Sequence, residues 1–150
     1  MGKKFLIFLS VTALILSVAA VGCNNEVDEE IIAFTDIAVE NVLVSINEQD
    51  FESYNKDMDN EMLKVVTEEY FSTFSTYLKD TIGEYEKDSK RYIDSYVQGD
   101  IYVVIYGADY AEEPEDVIVT GVVSVTDDGV YQISGTWFDS PKLRETEYEG

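Results

Sequence analysis

The chain has 150 residues, with 31 acidic and 10 basic side chains and a net charge of −21. A surface that negative repels phosphate backbones and anionic lipid headgroups, which argues against nucleic-acid partners. There is no histidine and only one cysteine, so Ser-His-Asp and Cys-His nucleophile arrangements and zinc sites built from those residues fall away.

The first element is an export signal. Lys3 and Lys4 give a positive start, and from Phe5 to Val21 only Ser10, Thr12 and Ser17 interrupt the apolar residues. A positive head, an apolar run of roughly 17 residues and small residues after it fit a cleaved leader, near the short limit for spanning a bilayer. Ala20-Val21-Gly22-Cys23 resembles the bacterial lipobox, with Ala20 where leucine is commoner. In that motif the cysteine thiol takes a diacylglyceryl group and cleavage makes the cysteine the new N-terminus. The resemblance implies a signal peptide over 1–22, a lipidated tether over 23–30, and a chain held on the extracytoplasmic face of the cell membrane through Cys23. A thioether lipid also explains why an exported chain has no second cysteine for a disulfide. The alternative is a plain signal peptide with a chance cysteine. Cleavage would remove two lysines and no acids, leaving eight basic against 31 acidic residues, a charge of −23.

A helical segment follows. From Asp28 to Glu48 there is no Gly or Pro, and Ile31, Phe34, Ile37/Ala38, Val42 and Ile46 recur at three- and four-residue steps. That spacing predicts a helix with one apolar stripe and acids in its first turn. Asp50 is placed to cap a short helix carrying Phe51 and Tyr54, and Asp57 to Asn60 read as a polar turn. Thr67 caps a third helix, "EEYFSTFSTYLKDTI", with Phe71, Phe74, Leu78 and Ile82 inward and Gly83 as its stop.

The period then changes to two. "EYEKDSKRYIDSYVQ" reads as a polar strand or strand pair, and "IYVVIYGADY" as a strong strand. "EEPED" reads as an acidic loop, because Pro114 is excluded from a sheet interior. "VIVTGVVSVT", the turn Asp127-Asp128-Gly129 and "VYQISGTWF" make a hairpin. Helices followed by strands predict an α+β domain over 31–141, with N-terminal helices packed on an antiparallel sheet of about four strands. Residues 142–150 read as an acidic tail.

Four stretches together, "NVLVSINEQDFESYNKDMDNEM", "IGEYE", "GDIYVVIYGADY" and "VIVTGVVSVTDDGVYQISGTWF", resemble the family called domain of unknown function 3887, over Val39 to Phe138. Members are often lipoproteins or stand beside hydrolase domains. The resemblance implies a cystatin-like fold, akin to nuclear transport factor 2, in which a curved sheet wraps helices as a cone. It implies no chemistry, since the family has no established activity.

Candidate sites are few. Asp57, Asp59, Glu61 and Glu68 hold positions 1, 3, 5 and 12 of a calcium-loop frame, but Met62 stands where that loop needs glycine. The run Glu112, Glu113, Glu115 and Asp116 could attract cations, or be an ordinary solvated charge run. Tyr102, Tyr106 and Tyr110 share one strand face, with Ile101, Val103 and Ile105 on the other, and Trp137 is expected on the face of Tyr131 and Ile133. With Phe34, Tyr54 and Tyr70 from the helices, Tyr102, Tyr106 and Trp137 could line a pocket for an apolar ligand; otherwise the same rings fill the core or the exposed sheet face. No cofactor and no catalytic residue is expected.

The expected function is therefore a non-catalytic binding or interaction module for a small apolar ligand, a peptide or a protein partner. One alternative is an accessory enzyme using carboxylate and tyrosine chemistry, for example Asp109 with Tyr106, as ketosteroid-isomerase relatives use an Asp base and a Tyr donor. Another is a structural envelope protein that self-associates, for example as a homodimer through the sheet.

Overall fold

A computed structural model describes residues 26–146. The predicted signal peptide, Cys23 and the end of the predicted tail lie outside the described residues. Helix α1 (Glu29–Glu48) starts with Glu29 and Glu30 at its positive end and buries Ile31, Thr35, Ala38, Val39, Val42, Leu43 and Ile46. Ile37 is 70% exposed, so Ala38 carries the stripe at that step. Helix α2 (Phe51–Asn55) begins where Asp50 accepts the Ser53 N–H at 3.0 Å. Helix α4 (Glu68–Ile82) begins where the Thr67 hydroxyl accepts the Tyr70 N–H at 3.1 Å, and it buries Phe71, Leu78 and Ile82.

Two helices were not expected. The segment read as a polar turn leads into α3 (Asn60–Val65), because Asp59 accepts from the backbone N–H groups of Glu61 and Met62 at 3.0 and 2.8 Å. One and a half turns are too short to show a period. The segment read as the start of a tail forms α5 (Pro141–Glu145), with Pro141 at its first position and the Ser140 hydroxyl as cap. It is also tied to the sheet: the Glu113 carboxylate accepts the Lys142 N–H at 3.0 Å.

The four strands are β1 (Arg91–Gln98), β2 (Ile101–Tyr110), β3 (Glu113–Val125) and β4 (Tyr131–Asp139), antiparallel in the order β1-β2-β3-β4. The polar stretch before β2 is thus one strand, preceded by a single bridge between Tyr85 and Tyr110. The expected acidic loop is mostly strand. Tyr110 pairs with Glu113 across a two-residue turn, and Pro114 sits where the register between Ala108 and Tyr110 slips. A bulge removes the need for the ladder N–H that proline lacks.

The helices pack on one sheet face. Val104, Tyr106, Ala108 and Tyr110 of β2 join Val117, Val119 and Val123 of β3 in one core with α1, α2 and α4, which makes the fold α+β. Helix α1 lies close on β3, since a Cβ on Gly121 would meet Val39 Cγ2 at 2.9 Å and Thr35 Cγ2 at 3.0 Å. Among the described residues, no helix is long and apolar enough to cross a membrane.

The last strand corrects one expectation. Val122 pairs with Gly135 but Val123 pairs with Ile133, so Ser134 is an extra residue. A one-residue bulge reverses the alternation beyond it. Trp137 therefore stands on the face opposite Tyr131 and Ile133, while Phe138 turns toward the helices.

Candidate functional site: a neutral groove along the last strand

Strand β4 is the sheet's outermost strand on the side of α3, α4 and α5. Its start is covered: Ile133 donates to Asp57 O at 2.7 Å and accepts from Asp59 N at 2.9 Å, a parallel bridge centred on Met58. Beyond Ile133 the helices stand away from the strand and leave a groove. One part, of about 320 Å³, is lined by Tyr54, Met62, Tyr70, Phe74, Tyr77, Leu78, Thr136, Trp137, Phe138, Leu143 and Thr146. A second, of about 300 Å³, continues it under Met62, Val65, Val66 and Tyr70 along Gly135, Thr136 and Trp137. Every lining side chain is neutral.

The lining follows from local structure. On α4, Tyr70 and Phe74 are one turn apart and nearly parallel, with ring centroids 6.0 Å apart, and Phe74 meets Phe138 edge-on at 5.6 Å. Tyr54 is 3% exposed, and burial raises its hydroxyl's pKa against a hydrogen bond with Thr136. The Tyr77 hydroxyl lies 3.0 Å from Thr146 Oγ1, which joins the end of α5 to the wall. Trp137 is 63% exposed and lies over Gly135, where a Cβ would come within 2.6 Å of the indole. Glycine at 135 lets the ring lie against the strand.

Of the six rings expected to form a pocket, Tyr54, Tyr70 and Trp137 line this groove and Phe34, Tyr102 and Tyr106 do not. Phe34 packs on Tyr131 at 5.7 Å, and Tyr102 is a half-buried neighbour of the core. Tyr106 is fully buried beneath the Lys90 ammonium, which sits 4.5 Å from its ring centroid, and burial pushes its hydroxyl up. Lys90 also pairs with Asp36, and Glu40 lies 3.9 Å away. Glu40 accepts the Tyr85 hydroxyl at 2.9 Å, and burial together with Glu40 pushes Tyr85 up to about 12.

The carboxylates are employed elsewhere. Asp59 caps α3, Glu61 pairs with Lys64, and Glu68 stands in the first turn of α4. Asp57, Asp59, Glu61 and Glu68 are not brought round a common point, and among the described residues no three acidic side chains gather where they could hold a metal. In the acidic run, Glu113 is 6% exposed beneath α5 and Asp116 pairs with Arg91 at 2.6 Å. Asp109 pairs with the same guanidinium at 3.1 Å. Three residues from Tyr106 on one strand, it points to the opposite face, so the two form no acid–base pair.

Sequence reading missed most of the lining, Met62, Tyr77, Gly135, Thr136 and Leu143 among it, and read Phe74 and Leu78 only as inward helix positions. The available signal was the cap at Asp59, which places Met62 on a helix. No known family's sequence model matches this chain, and neither does any curated protein.

Proposed function

We propose that the protein is a lipid-anchored, extracytoplasmic binding module, held at the membrane through Cys23, whose ligand enters the groove between α3, α4, α5 and β4. The family likeness over Val39 to Phe138 belongs to the same reading. The observation that carries it is the lining: neutral, largely aromatic side chains about a cavity of about 320 Å³ in a protein of charge −21. Apolar walls with a few hydroxyls suit an apolar ligand, and Thr136, Tyr70 and Tyr77 supply the polar atoms that orient it. The lining has no carboxylate, so a proton-transfer step there would lack an Asp or Glu base.

The chain's only tryptophan borders the groove, which makes its emission a direct readout. The chain from Asn24 on contains every element of the core and is the species to use. Titration with the neutral fluorophore N-phenyl-1-naphthylamine should shift Trp137 emission and saturate, and Tyr70→Glu should abolish the response. An unchanged spectrum, or equal binding by the variant, refutes the groove as the site.

Self-association has one observation in its favour. Ile93, Tyr96 and Trp137 are exposed on or beside the uncovered sheet face, where Arg91 pairs with Asp109 and Asp116 and Arg144 with Asp139, leaving one net negative charge in that group. Sedimentation equilibrium decides it: Tyr96→Glu should convert a dimer to a monomer, and a wild-type monomer at all concentrations refutes it.

A further inference from the structure

The second part of the groove is lined by Gly135. A glycine has no side chain, so the strand backbone itself forms that wall. Strand β4 has β3 on one side only, and on the other side among the described residues its ladder is met at Ile133 alone, by Asp57 and Asp59. Past Ile133 the strand continues through Gly135, Thr136, Trp137 and Phe138, all of which border the groove. An occupant of the groove therefore lies against an open strand edge, where backbone N–H and C=O groups seek partners.

We propose that the groove takes an extended peptide segment that adds to the β4 edge, continuing the parallel pairing begun by Asp57–Asp59, with an apolar or aromatic side chain in the cavity and cationic residues flanking it. This rests on the binding reading above and names its ligand class. Addition of a strand to an open edge gets affinity from main-chain hydrogen bonds and selectivity from pockets for alternate side chains. Here the pocket beside the edge is the aromatic cavity of Tyr70, Phe74 and Phe138.

Charge complementarity fixes the flanks. The helices bounding the groove carry Glu61 on α3, Glu68 and Glu69 on α4, and Glu145 on α5. Lys64 pairs with Glu61 and Arg144 with Asp139, which leaves Glu68, Glu69 and Glu145 against Lys142, whose ammonium donates to the Glu112 carbonyl. A net negative charge on the helices that bound a neutral slot favours lysine or arginine flanking the segment and disfavours an acidic one.

The test is a titration of the chain from Asn24 on with a synthetic hexapeptide, Lys-Thr-Phe-Thr-Phe-Lys, read by Trp137 emission. Three controls accompany it: the same peptide with its central amides N-methylated, a version with glutamate at both ends, and the neutral fluorophore. The cationic peptide should bind, N-methylation should weaken it at least about tenfold by removing backbone donors, and the glutamate version should weaken it further at low salt. Fluorophore binding without peptide binding overturns this inference and leaves the binding reading standing, as does equal affinity for the N-methylated or the acidic peptide. Failure of fluorophore and peptide together overturns both. Peptide binding that emerges only when residues 147–150 are deleted assigns the groove to the chain's own end and overturns the external partner.

Discussion

Gly121 is where the approach of α1 to the sheet is most exposed to a single substitution. A Cβ there would stand 2.9 Å from Val39 Cγ2, closer than real Cβ atoms come, and 3.0 Å from Thr35 Cγ2, tighter than nine in ten real Cβ contacts. Its backbone is not left-handed, so Gly121→Ala tests sterics alone. Two effects oppose each other. Overpacking a well-filled interior costs about 1–3 kcal/mol, while replacing glycine lowers the entropy of the unfolded chain by about 0.4–1 kcal/mol. The net expectation is a loss of about 1–2 kcal/mol, which at a urea slope of about 1–3 kcal/mol/M lowers the midpoint by about half to one molar. Val39→Ala alone should cost about 2–3 kcal/mol, from two buried methyl(ene) groups and the space left behind. Combined, Val39→Ala removes the methyl that Gly121→Ala strikes. The double variant should therefore be more stable than the sum of the singles by at least about 0.5 kcal/mol. Urea unfolding of all four proteins by circular dichroism measures this. Additivity within about 0.3–0.5 kcal/mol, or a fully stable Gly121→Ala, refutes the close packing of α1 on β3.

Three further outcomes are expected. Burial first, and then the Glu40 hydrogen bond and charge, raise Tyr85 to about 12, and burial raises Tyr106 and Tyr110 as well. Raised folded values mean stability that is complete below the free tyrosine value of about 10 and lost as pH climbs through the folded values; tyrosinate absorbance at 295 nm and far-ultraviolet dichroism should change together above pH about 10, and smooth ionisation with the fold intact would contradict the burial. At Glu113, burial raises the pKa, but hydrogen bonds from Ser140 and the Lys142 N–H outweigh it and lower the value. That contribution is present above the ordinary glutamate value of about 4.3 and disappears as pH falls through the lower folded one; Glu113→Ala should speed hydrogen exchange at Leu143 and Arg144 at neutral pH, and unchanged protection would show that α5 is held without it. The wild-type chain should carry a diacylglyceryl mass at Cys23 that Cys23→Ser removes, and an intact wild-type mass without that group would refute the lipid anchor.

Elements with a long, clean period were legible in the sequence. Helices α1 and α4 and strands β2 and β3 follow from spacing, and the Asp50 and Thr67 caps fall where side-chain oxygens can meet free N–H groups. Helices α3 and α5 were hidden because short helices depend on their surroundings: α3 on the Asp59 cap, α5 on the Glu113 carboxylate from a distant strand. The groove was half legible. Tyr54 and Tyr70 follow from helical spacing, but Trp137 was assigned the wrong face because the bulge at Ser134 leaves no mark in a strictly alternating reading. Tyr106 shows the converse limit: strand spacing put it on one face with Tyr102 and Tyr110 without telling which face is inner, and its burial beneath the helices and Lys90 places it in the core and away from the groove.

The most direct test of the groove as a binding site is native mass spectrometry of the chain isolated gently from its own host, beside the Tyr70→Glu variant. The account predicts a retained adduct with the mass of a short peptide on the wild-type chain and none on the variant. A bare wild-type mass, or an adduct that survives Tyr70→Glu, would contradict it.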